Sequence, residues 1–158
     1  MSALAKSPSS SDSHQVTVLL VDDDKFIRAI VDMALKGTKY KLASVPGVCE
    51  ALQYINEAPP DILITDAMMP GSTGFDLIKA VKATNFDIPI ILLTGLENPD
   101  GSIKDSSGMA DFRVGKPFKV SQILGVLEAA EARLQVHHQM TEPSILHSGR
   151  HKIVQSIS

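Results

Sequence analysis

The chain has no tryptophan, and aromatic residues make up only 4% of it. It therefore lacks the ring surface on which single-stranded bases are stacked. Its one cysteine, Cys49, excludes an internal disulfide. That fits a reducing compartment, and a cytoplasmic location is expected. Long apolar runs are missing too. Uninterrupted stretches such as residues 90–93 are only a few residues long, against the roughly 20 that a spanning helix needs, so no membrane insertion is expected. The opening MSALAKSPSSSDSH has no apolar core of the signal-peptide kind. A strong charge of either sign is also absent. The formal net charge of −3 is small and of the wrong sign for a chain that binds nucleic acid along its length. What remains is ordinary: 158 residues, 44% hydrophobic and 21% charged. That is one domain's worth of chain, able to bury a core without a disulfide or metal staple.

The charge is unevenly placed. Residues 16–135 hold 16 acidic and 12 basic side chains, whereas the first 15 residues are neutral and the segment from 136 onward carries an excess of one positive charge. The acidity sits in the part that is patterned to fold.

Residues 1–15 are Ser-rich and aperiodic and are expected to be disordered. From Val16 onward, short apolar runs alternate with helical patterns. VTVLLV (16–21), KLASV (41–45), DILIT (61–65), IPIILLT (88–94) and DFRV (111–114) read as strands. Ile27, Ile30, Val31, Ala34 and Leu35 share one helix face, as do Val48, Ala51, Leu52 and Ile55, and then Leu77, Ile78 and Val81. Residues 95–108 are rich in Gly, Ser and Asp and should form a short or loose fourth helix. Val120, Ile123, Leu124, Leu127, Ala130 and Leu134 give the clearest amphipathic helix, and patterning fades from about residue 137. Five strand–helix alternations specify an α/β, doubly wound, five-stranded parallel sheet with helices on both faces. Strands covered on both faces read as continuous apolar runs, as these do.

Ligands of open parallel sheets bind outside the carboxyl ends of the strands. Asp22, Asp23 and Asp24 follow the first strand, Asp66 ends the third, Thr94 ends the fourth, and Lys116 follows the fifth. Each has an ordinary explanation when taken singly. Asp24 suits a helix N-cap, Thr94 a turn, and Lys116 a solvated surface. Their convergence on one edge is what points to chemistry. Three carboxylates within about 5 Å would repel one another by roughly 3 kcal/mol per pair at an effective dielectric of 20, so the cluster needs a cation. Oxygen-only ligands suit Mg²⁺ or Ca²⁺, a site that keeps several waters suits Mg²⁺, and the lack of nearby His or Cys disfavours zinc. A carboxylate can attack phosphorus to form an acyl phosphate, while a metal and a lysine compensate the charge of the transferring group.

The motifs LLVDDDKFIR, DILITDAMMPGSTGFDLI, PIILLTG and VGKPF occur in order with matching spacing. Together they resemble the receiver domain of two-component response regulators over roughly residues 16–134. The resemblance implies the chemotaxis-receiver fold with strand order 2-1-3-4-5. It implies that Asp66 is the phosphoacceptor and that Mg²⁺ is bound by Asp23, Asp66 and the backbone carbonyl of Met68, with Asp22 holding it through water. It also implies that Thr94 is the switch hydroxyl, that Lys116 meets the phosphoryl group, and that the bond before Pro117 is cis. The expected organisation is a disordered segment at 1–15, a receiver domain at 16–136, and a tail at 137–158 that is disordered or a short docking segment. That tail holds four of the five histidines in no metal-ligand spacing.

The resemblance has one departure. The family usually places an aromatic residue three positions before the lysine as part of its switch. Here Arg113 stands there, with Phe112 one place earlier. A one-residue step changes the face of a strand, so Phe112 would not substitute, and Arg113 becomes a candidate partner contact or a simple exposed edge residue. Cys49 is expected to be a buried, inert thiol at the margin of the second helix. Met68 is expected at the site entrance and Met69 in packing.

Several functions fit such a chain. The first is a stand-alone receiver, a non-enzymatic signalling protein. A histidine kinase or phosphotransfer protein would phosphorylate Asp66, and phosphorylation would change binding of a downstream protein. With no DNA-binding or catalytic module evident, output would go through another protein, with the chain a monomer or weak dimer. A constitutive receiver-like scaffold that never takes phosphate is the alternative. An aspartyl-phosphatase of the haloacid-dehalogenase type would need a second Asp where Met68 stands. A flavodoxin-like flavin carrier would bring a phosphate against Asp22–Asp24, which would repel it.

Overall fold

The computed structural model describes residues 15–95 and 108–141. Eleven elements follow one another: β1 (Val16–Val21), α1 (Lys25–Leu35), β2 (Tyr40–Val45), α2 (Val48–Glu57), β3 (Ile62–Asp66), β4 (Met68–Met69), β5 (Ser72–Thr73), α3 (Gly74–Lys82), β6 (Ile90–Thr94), β7 (Phe112–Gly115) and α4 (Val120–Thr141). The main sheet has the order β2-β1-β3-β6-β7 and every pairing in it is parallel. Counting only its own strands, that is the 2-1-3-4-5 order of the expected doubly wound fold.

Alternation along the strands divides the core in two. Val18, Leu20, Ile62, Ile64, Ile91, Leu93 and Val114 face α1 and α4, where Val31, Leu35, Ile123, Leu127 and Ala130 meet them. Leu19, Val21, Leu63, Ile90 and Leu92 face the other way, against Ala51 and Ile55 of α2 and Leu77, Ile78 and Val81 of α3. β3 and β6 are buried at every position, which is why they carry unbroken apolar runs up to their polar ends. Each fully buried Leu or Ile contributes about 1.5–3 kcal/mol relative to exposure.

Local chemistry sets the helix starts. The Asp24 side chain caps α1 by accepting from the Phe26 amide at 2.8 Å. Thr73 and Asp76 form a reciprocal capping box at the start of α3, satisfying amides that the helix leaves open. The antiparallel hairpin β4–β5 was not foreseen, because two-residue strands carry no readable period. It turns through Pro70 and Gly71, and Gly71 takes the positive φ of 75° that a tight turn asks of its third residue.

Two expectations are corrected. The expected boundary between domain and tail at residue 136 falls inside α4, which runs to Thr141, so residues 137–141 are helical rather than disordered. The stretch from Leu134 to Met140 contains no Gly or Pro, and the His138 Nδ1 lies 2.9 Å from the Leu134 carbonyl one turn back. His137 Nδ1 lies 2.7 Å from an Asp87 carboxylate oxygen, tying the helix to the loop before β6. Cys49 is exposed, not buried: it is the second residue of α2, whose inward face is held by Ala51 and Ile55. The expected loose fourth helix, the N-terminal segment and residues 142–158 lie outside the described residues. Among the described residues no helix is long and apolar enough to cross a membrane.

Candidate functional site

The carboxyl ends of β1 and β3 lie side by side, and β1 is flanked on its other side by β2. The crossovers reverse direction there, and a crevice opens at such a point. Asp22 and Asp23 leave β1 at that edge, and Asp66 is the last residue of β3. One carboxylate oxygen from each of Asp22, Asp23 and Asp66 lies within 4.8 Å of the others. Asp22 is fully buried, Asp66 is 8% exposed, and Asp23 is open to solvent.

Asp22 is the most tightly held of the three. Its Oδ1 accepts from the Asp24 amide at 2.9 Å, its own amide donates to the Val45 carbonyl at 3.2 Å, and its carbonyl accepts from Arg28 Nη1 at 2.7 Å. Lys116 arrives from the loop after β7. Its Nζ donates to Asp22 Oδ2 at 2.8 Å and lies 3.1 Å from Asp66 Oδ1. The Lys116 amide donates to the Thr94 carbonyl at 2.8 Å, so the ends of β6 and β7 are tied where the lysine turns inward. The Lys116–Pro117 peptide bond is cis.

The electrostatics follow from this crowding. Burial, and then the neighbouring Asp22 charge, push the Asp66 carboxyl above its usual range, and the Lys116 ammonium opposes without overturning the shift. Burial alone would lower the Lys116 ammonium, but its hydrogen bond and charge contact with Asp22, followed by those with Asp66, leave it raised. Two carboxylates share one ammonium, and the third faces water. A hard divalent cation fits this donor set. It meets only oxygen ligands, it can keep water on the Asp23 side, and it relieves a repulsion that Lys116 compensates only in part.

The other candidates take different positions. Thr94 is buried at the end of β6, the strand beside β3. Met68, two residues past Asp66, begins the β4–β5 hairpin, with its backbone paired to Thr73 and its side chain 56% exposed. Met69 is buried against the α2–α3 face. Phe112 packs against the α1–α4 core, as Val114 does. Arg113 between them points to the opposite face of edge strand β7 and is exposed. The structure thus gathers Asp22, Asp23, Asp66 and Lys116 into one group and separates Phe112 from Arg113.

Three residues that touch this group through its backbone escaped the sequence reading. They are Arg28 on the Asp22 carbonyl, Thr65 with its buried hydroxyl donating to the Asp66 carbonyl at 3.1 Å, and Gly74, which packs against that same carbonyl. Backbone contacts leave no mark in side-chain spacing. The one available hint was a glycine as the first residue of a helix, where glycine is not otherwise favoured.

Comparison with known proteins agrees with this geometry. The sequence profile of the response regulator receiver domain matches residues 18–128. The phosphate regulon transcriptional regulatory protein PhoB of Pseudomonas aeruginosa is 32% identical over 119 residues, which cover 74% of this chain and 52% of that protein. The probable transcriptional regulatory protein TcrX of Mycobacterium tuberculosis is 28% identical over 126 residues, 80% of this chain and 54% of that one. The chain therefore spans about half the length of these curated relatives. Among solved structures, the chemotaxis response regulator CheY4 of Vibrio cholerae superposes with a TM-score of 0.67 at 31% identity, covering 73% of this chain and 98% of that one. A profile match across most of the chain, the doubly wound sheet and the acidic crevice at its carboxyl edge agree, and the chain belongs to the response regulator receiver domain family.

Proposed function

We propose that this domain accepts a phosphoryl group on Asp66 from the phosphohistidine of a histidine kinase or phosphotransfer protein, and that the modification changes how it binds a downstream protein. The observation that carries the reading is the position of Lys116 Nζ, 3.1 Å from Asp66 Oδ1 and 2.8 Å from Asp22 Oδ2, inside a three-carboxylate cluster.

In the transfer, an Asp66 carboxylate oxygen forms a bond to phosphorus while the phosphorus–nitrogen bond to the donor imidazole breaks. The electron pair leaves with that nitrogen, which then takes up a proton. Asp22, Asp23 and Asp66, with the Met68 carbonyl, would hold Mg²⁺, which supplies charge compensation for the phosphoryl oxygens. Lys116 is placed to pair with a phosphoryl oxygen, exchanging its contact with the Asp66 carboxylate for one with the new group. The Asp22 carboxylate keeps the ammonium aimed into the crevice. Thr94 would donate its hydroxyl to another phosphoryl oxygen from the end of β6, and that movement would be felt along β6 and β7. Arg113 lies on the outer face of β7, where the usual aromatic switch residue is replaced by a cation, so it would act in partner recognition. Phosphorylation would shift the population of this surface rather than create a new one. These reactions suit a protein of the cytoplasm.

The test is intact-mass analysis after incubation with Mg²⁺ and a small acyl phosphate. Wild type should gain one phosphoryl group, and neither Asp66→Ala nor a chelated sample should. A wild type that stays unmodified under excess donor and metal would instead make the domain a constitutive scaffold.

A further inference from the structure

Two residues crowd the carbonyl of Asp66. The buried Thr65 hydroxyl donates to it at 3.1 Å. Beside that hydroxyl Gly74, the first residue of α3, approaches so closely that a Cβ built there would overlap the Asp66 carbonyl oxygen. That Cβ would also lie 3.0 Å from the Asp66 carbonyl carbon and 3.1 Å from Thr65 Oγ1. Thr65 is fully buried and Asp66 nearly so, and the contacts fall on backbone and on a short side chain, so neither can swing aside. Gly74 also closes the hairpin that follows Asp66: its amide donates to the Ala67 carbonyl at 3.0 Å, next to the Met68–Thr73 and Met69–Ser72 pairs.

Conformation does not demand glycine here. Gly74 is not among the residues with positive φ, and helix propensity favours alanine at a helical position. Only the space beside Asp66 excludes a side chain. We infer that Gly74, together with Thr65, is a positioning element for the Asp66 site, setting the peptide that carries the carboxylate and the hairpin that carries the Met68 carbonyl. The inference rests on the proposed metal-dependent function. A methyl group at position 74 must either lift α3 and the hairpin off β3 or rotate the Asp66–Ala67 peptide. Each outcome moves a proposed metal ligand while leaving the three carboxylates in the chain. Positioning errors of an ångström in such sites are known to carry large losses.

The experiment measures Mg²⁺ affinity by calorimetry, phosphorylation rate with a small acyl phosphate at saturating Mg²⁺, and thermal stability on the same samples. Gly74→Ala should weaken Mg²⁺ binding about fivefold or more and slow phosphorylation about tenfold. Gly71→Ala is the control. It strains the same hairpin through its φ of 75° but meets nothing within 4 Å, so it should lower Tm and leave Mg²⁺ affinity within about twofold. Thr65→Val, which removes the hydroxyl at nearly constant volume, should weaken Mg²⁺ binding, and Thr65→Ser should restore it.

Gly74→Ala with wild-type Mg²⁺ affinity would overturn the inference, as would a Gly71→Ala protein that loses as much affinity for the same fall in Tm. If Gly74→Ala does not fold, equal Mg²⁺ affinity in Thr65→Val and Thr65→Ser overturns it. A wild type that binds Mg²⁺ but takes no phosphoryl group defeats the phosphoacceptor reading alone, and the positioning inference is still decided by the affinities. A wild type that binds no Mg²⁺ defeats both.

Discussion

Lys116 and Asp66 lie at the centre of an unbalanced charge group, and the imbalance has measurable consequences. The Asp66 carboxyl is raised by burial and by Asp22, so its charged form is disfavoured in the folded state. Folding stability therefore falls as pH rises from the unfolded carboxylate value of about 4 through the higher folded value, and stays lower above it. In metal-free protein at pH 7, Asp66→Asn should raise Tm by about 2–5 °C, the response to roughly 1 kcal/mol in a domain of this size. The gain should vanish near pH 3, where the aspartate is protonated in both states; a Tm at pH 7 that is unchanged or lower would refute this. Lys116→Met should do the opposite. It leaves the fully buried Asp22 without the ammonium at 2.8 Å, at a cost of about 2–4 kcal/mol in metal-free protein. Because Lys116 occupies the place of a counter-ion, its removal should also tighten Mg²⁺ binding, which calorimetry would read directly. Asp22, Asp23, Asp66 and Lys116 were legible in the sequence because each sits at the polar end of an apolar strand or just beyond it. Arg28, Thr65 and Gly74 were not, because they act on carbonyl groups that the sequence does not display.

Helices and strands were readable to the extent that their faces are buried. β1, β3 and β6 announced themselves through runs buried by helices on both sides, and α1, α2 and α3 through apolar residues one turn apart. The far end of α4 did not, because contacts distant in sequence hold it. Arg133 pairs with Asp111 and, at 3.4 Å, with Asp87. Asp111 also accepts from the Ile90 amide at 2.8 Å, and His137 meets Asp87 one turn beyond Arg133. This carboxylate pair fastens the overhanging turns of α4 to the loops that precede β6 and β7. Arg133→Ala should therefore destabilise the domain by only about 1 kcal/mol, since the pairs are partly solvated. It should nonetheless speed amide exchange across residues 134–141 while residues 123–130, anchored by Ile123, Leu127 and Ala130, remain protected. Uniform loss of protection along the helix would show that the latch is not local.

At the scale of the whole molecule, parallel strands bring the polar ends of β1, β3, β6 and β7 to one edge, so the fold concentrates like charge where its own topology opens a crevice. Three carboxylates are held within 4.8 Å at the ends of two strands whose residues are almost entirely buried and have no room to retreat. Such a site should act as a stability switch for the entire domain. A cation that binds only the folded state stabilises it by RT ln(1 + [L]/Kd), about 1.4 kcal/mol at ten times Kd, and relief of the Asp22–Asp66 repulsion would be the source of that binding. Mg²⁺ should accordingly raise Tm by about 3–6 °C, with the midpoint of the rise set by Kd. The effect should fade as pH falls toward 4 and protons compete for the carboxylates, and Asp23→Ala or Asp66→Ala should diminish it sharply. Sodium chloride at matched ionic strength separates coordination from screening. Screening acts on exposed pairs over a Debye length of about 10 Å at 0.1 M and reaches the buried Asp22 poorly, so the salt should reproduce little of the shift. An equal rise in Tm with sodium chloride would mean that the cluster responds to ionic strength alone and that no cation is coordinated there.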